Sequence, residues 1–93
     1  MGSSAISCMR YNDPDRAIHW LCDMFGFKEK ATYRDNDGTL LHCELTLGDG
    51  MIMLGAARDD EFAQVQQTPE MLGGNTQSVC LVIEDTDAAY DRI

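Results

Sequence analysis

Cys8-Met-Arg-Tyr-Asn-Asp13-Pro-Asp15-Arg-Ala17-Ile18 returns later in the chain as Cys80-Leu-Val-Ile-Glu-Asp85-Thr-Asp87-Ala-Ala89-Tyr90. The stretches align without a gap at a spacing of 72 residues, sharing Cys, both Asp and Ala. In each, an apolar run ends at an acidic pair and passes into a helical pattern. A spacing this long lies outside the short periods of solenoids and propellers. It implies a duplicated supersecondary module. The second copy reaches Ile93 just as its helix begins, so a truncated duplicate is expected.

Around the first copy the elements read off in order. Ala5 to Tyr11 is a short strand, with Ile6, Cys8 and Arg10 on one face and Ser7, Met9 and Tyr11 on the other. Asp13-Pro14-Asp15 is a helix start: Asp13 caps free N–H groups, Pro14 suits the first helical position, and Asp15 favours the positive end of the dipole. Ala17, Trp20, Leu21, Met24 and Phe25 then form an apolar stripe expected to face a sheet. Gly26 can end the helix in the left-handed region. Phe27 to Arg34 reads as a second strand, turned by Asp35-Asn36-Asp37-Gly38. In Thr39 to Leu47, Leu41, Cys43, Leu45 and Leu47 alternate with His42, Glu44 and Thr46. Gly48-Asp49-Gly50 turns the chain into a fourth strand, Met51 to Gly55. Residues 5–55 thus form a βαβββ module. Residues 56–77 read as a linker with a helical turn near Glu61 to Gln66, broken by Pro69 and Gly73-Gly74. Residues 78–93 begin the second module, with a strand over Ser78 to Ile83 and a partial helix after Asp85. The fold class is α+β, in a single domain.

Composition bounds the function. The 93 residues carry 16 acids against 7 bases, a net charge of −9. Without a Lys/Arg cluster, nucleic acid is not an expected partner. An anionic membrane surface would be repelled, and no apolar run approaches a bilayer span. Cys8, Cys22, Cys43 and Cys80 form no C-x-x-C pair and sit in apolar runs, where free Cys behaves as a small hydrophobe. The reading is a reduced, cytoplasmic protein. No P-loop, G-x-G-x-x-G or G-x-S-x-G motif is present.

A duplicated βαβββ module with D-x-D-x-A at the strand-to-helix junction resembles the glyoxalase/bleomycin-resistance/extradiol-dioxygenase superfamily, the vicinal oxygen chelate fold. Asp13-Pro-Asp-Arg-Ala-Ile-His-Trp-Leu with Phe25-Gly26-Phe27 carries the resemblance. So do His42-Cys-Glu-Leu-Thr-Leu-Gly-Asp-Gly-Met-Ile-Met-Leu54 and Gly73-Gly74 leading into Val79 to Asp87. The resemblance implies paired modules whose curved sheets enclose a cavity, often metal-centred. It places Ile6, Met53 and Ser78 at three ligand positions, and the fourth lies beyond Ile93. Ile has no lone pair, a thioether suits hard divalent ions poorly, and neutral Ser is weak. No metal or other cofactor is therefore expected.

His42 and Glu44, on the strand face opposite the leucines, would reach the concave side as a general-base pair or half of a metal site. Arg10 would share that side and pair with an acidic ligand or with Glu44. Met51 and Met53 suit an adaptable pocket wall, and Cys80 is the repeat's counterpart of Cys8. The expected ligand-binding set is Arg10, His42, Glu44, Met51, Met53 and Cys80. Three functions compete: a metal-free binder of an unidentified small molecule, a metal-dependent lyase, isomerase or dioxygenase, and a truncated module acting only through assembly. The unpaired second-copy strand favours a homodimer.

Overall fold

In the computed structural model, residues 4–57, 61–75 and 78–93 are described. The order is β1 (Ser7–Tyr11), α1 (Pro14–Phe25), β2 (Lys28–Arg34), β3 (Leu40–Leu47), β4 (Gly50–Ala56), a 3₁₀ turn (Glu61–Gln64), α2 (Pro69–Leu72) and α3 (Thr86–Arg92). The strands form one sheet in the order β1-β4-β3-β2. β2, β3 and β4 run as an antiparallel meander, and β1 lies parallel to β4. The first module is therefore βαβββ, as its sequence pattern predicts.

The start and stop signals of α1 act as expected. Asp13 Oδ1 accepts from Arg16 N at 3.1 Å, with Pro14 at the first helical position and Asp15 in the first turn. Gly26 closes the helix at φ +79° and donates to the Cys22 carbonyl. That conformation costs an L side chain about 1–2 kcal/mol. The motif recurs in the second copy, where Asp85 Oδ1 accepts from Ala88 N at 2.9 Å. Both acidic pairs are thus helix-start chemistry.

The core is Ile18, Leu21, Phe27, Leu40, Cys43, Leu45, Ile52 and Leu54. Two expectations need correction here. The buried face of α1 is Pro14, Ile18 and Leu21, flanked by Cys22 and Phe25. Ala17, Trp20 and Met24 do not supply it. Pro14 is buried at the helix start, and with 3.6 residues per turn its face continues through 18, 21 and 25. Trp20 is left 47% exposed, edge-on to Phe25 with centroids 5.3 Å apart. On β3, Leu40 replaces Leu41 in the core. The β2–β3 register slips so that Arg34 faces Leu40 while Tyr33 faces His42. The slip leaves Leu41 as an extra residue, which reverses the alternation before it.

The second copy departs further. Ser78–Ile83 forms no strand among the described residues. Val79 and Leu81 pack at the margin of the core, while Val82 is 91% exposed. The alternation is real, but the segment lies against Phe27, Leu47 and Gly50 to Ile52 on the helix-covered side. It therefore runs along packed side chains and not along an open sheet edge. α3 then lies beside α1, with Ala89 buried and Arg92 Nε donating to the Met24 carbonyl at 3.0 Å. A cation thus meets the carbonyl end of α1.

The linker holds more order than its composition implies. Besides the expected turn at Glu61–Gln64, Pro69 begins α2 and does not break a helix. Thr68, fully buried, caps it by accepting from Met71 N at 3.3 Å, and Gly73 ends it.

Candidate functional site

The sheet face away from α1 is built from residues that stand abreast. Cys8 on β1 faces Met53 on β4, Met53 faces Glu44 on β3, and Glu44 faces Ala31 on β2. One row nearer the C-terminus of β1, Arg10 faces Gly55. On the same face, toward the β2 edge of the sheet, His42 faces Tyr33, with ring centroids 5.9 Å apart and tilted by 30°. Because Cys43 and Leu45 turn into the core, His42 and Glu44 point together to this opposite face. His42 Nε2 lies 3.2 Å from Glu44 Oε2. An imidazole and carboxylate this close can exchange or relay a proton.

The other expected residues divide between two cavities. Arg10, 9% exposed, lines the larger, a space of about 610 Å³ along Cys8 to Tyr11, walled by Val65, Gln66, Pro69 and Leu72. Met51 and Cys80 meet at a smaller one of about 320 Å³, with Phe27, Leu47 and Val82. Met53 stands between the Cys8 end of β1 and Glu44, as its register requires. Arg10, His42, Glu44, Met51 and Met53 thus stand on the sheet, while Arg10 lines one cavity and Met51 with Cys80 the other.

The larger cavity contains residues that hydropathy patterning missed. Gln66 and Leu72 fall in the uneven linker, where neither a period of 2 nor of 3.6 can be read. The usable signal was Thr68-Pro69, a cap residue followed by Pro at the first helical position. Near the cavity, Asn12 Nδ2 donates to Glu70 Oε2 at 2.6 Å. Burial, and after it the charge of Glu70, pushes the Tyr11 phenol above its ordinary range. Tyr11 therefore remains a protonated donor at neutral pH, its hydroxyl 3.8 Å from Met9 Sδ.

The donor chemistry does not fit a metal. Ile6 and Ser78 offer no charged donor, and β1 places Cys8, not Ile6, beside Met53. Among the described residues, no three His, Cys, Asp or Glu side chains gather in a geometry that could hold an ion. His42 and Glu44 alone leave a site short of a third protein ligand. The four cysteines are free. Burial raises the Cys22 and Cys43 thiols above their ordinary range, which suits packing better than nucleophilic attack. Among the described residues, no helix is long and apolar enough to cross a membrane.

The crystal structure of TioX from Micromonospora sp. ML1 superposes on this fold with a TM-score of 0.61 at 25% sequence identity, covering 98% of this chain and 69% of TioX. No curated protein sequence matches the chain significantly. A family profile described as Glyoxalase/Bleomycin resistance protein/Dioxygenase superfamily matches residues 5–93. With that match spanning the sheet, both cavities and the second helix start, the chain belongs to the glyoxalase/bleomycin resistance protein/dioxygenase superfamily.

Proposed function

We propose that this superfamily member binds a small organic molecule without a metal. The observation that carries the reading is the cavity of about 610 Å³ along β1, within the size range of small-molecule sites. Its walls combine apolar surface from Val65, Pro69 and Leu72 with polar groups from Arg10, Gln66 and Tyr11. Four free thiols accord with a reducing, cytoplasmic setting.

A thermal-shift panel of small organic molecules, run with EDTA and separately with Zn²⁺, Ni²⁺ or Mn²⁺, tests this. A ligand at a hundred times its Kd stabilises by about 2.7 kcal/mol, which raises Tm by on the order of 10 °C in a domain this size. The expected result is such a shift in EDTA, diminished by Arg10→Gln. A comparable shift from one divalent ion, with none from organic molecules, would instead favour a metal-dependent enzyme. The His42–Glu44 pair at 3.2 Å is the observation supporting that second reading, as the base of a lyase or isomerase.

The chain is also proposed to form a homodimer through its C-terminal segment. Val82, Tyr90 and Ile93 are 91%, 80% and 65% exposed, an apolar set that a second copy would cover. Light scattering across a dilution series should give a dimeric mass at micromolar concentration, and Tyr90→Asp should return it to that of a monomer. A monomeric mass throughout would reject the assembly.

A further inference from the structure

We draw no further inference here: the strongest candidate, the apolar groove of about 320 Å³ between the 79–82 segment and Phe27, Leu47 and Met51, carries nothing, because nothing in the structure shows what covers it.

Discussion

Leu45→Ala should cost about 2–5 kcal/mol, the range for truncating a large buried aliphatic side chain. Leu45 is fully buried in the middle of β3, paired with Ile52 on β4 and Glu29 on β2. Its side chain lies in the cluster shared with Ile18 and Leu21 of α1. Both flanks are strands tied into the sheet, so the hole cannot collapse by moving a loop. The cost should therefore fall in the upper part of that range. A domain of 93 residues has little margin, with total stability on the order of 5–15 kcal/mol. Urea denaturation should show the midpoint falling while the slope m is unchanged. Trp20→Ala, at a half-exposed site, is the contrasting control and should cost less despite the larger side chain. A Leu45→Ala loss below about 1 kcal/mol would mean that β3 presents its other face to the helix.

The alternation Cys43, Leu45, Leu47 against His42, Glu44, Thr46 was sufficient to orient β3, because a period of 2 leaves only two choices and one is strongly polar. The helix start at Asp13 was legible for a similar reason: capping is local chemistry, decided within four residues. What could not be read was the phase of α1 and the end of β3. Ala17 and Ile18 are both apolar, as are Trp20 and Leu21. The choice between the two stripes depends on how Pro14 is seated against the sheet, which is a tertiary fact. The extra residue at Leu41 depends on the pairing partner, since a bulge exists only between two strands.

Of the candidate site, only the meeting of His42 and Glu44 was legible in the sequence. His42 and Glu44 meet because they share a strand, and the spacing i, i+2 dictates that. Arg10, Met51 and Cys80 had no such local rule. Their cavities depend on where residues 65–75 and 79–82 fold back. These stretches have no ladder among the described residues, so their position follows from packing. Ser78 to Ile83 shows the limit most clearly. Its sequence copies the alternation of β1, yet it lies where no strand edge is offered.

Gly55→Val should be the second large loss, and for the opposite reason: addition in place of removal. A Cβ built on Gly55 would lie 3.0 Å from the Leu41 carbonyl oxygen. The obstructing atom is backbone, held within the β3 bulge, so it cannot swing aside as a side chain would. Glycine inside a strand commonly marks a bulge or a close backbone approach, and here it marks both. Overpacking of this kind costs about 1–3 kcal/mol, and the branched side chain should place Val at the top of that range. In a domain of this size, 3 kcal/mol corresponds to a Tm drop of roughly 12–24 °C. Gly55→Ala should fall partway, since it adds the obstructed Cβ without the two further methyl groups. The damage should also reach the cavity, because Gly55 faces Arg10 across the β1–β4 ladder. Displacing β4 there would shift the β1 residues that line the larger cavity. Amide resonances of Cys8 to Tyr11 should therefore move in Gly55→Ala, while those of α3, whose packing is on α1, should stay. If Gly55→Val unfolds at the same temperature as the parent chain, β3 carries no bulge at Leu41.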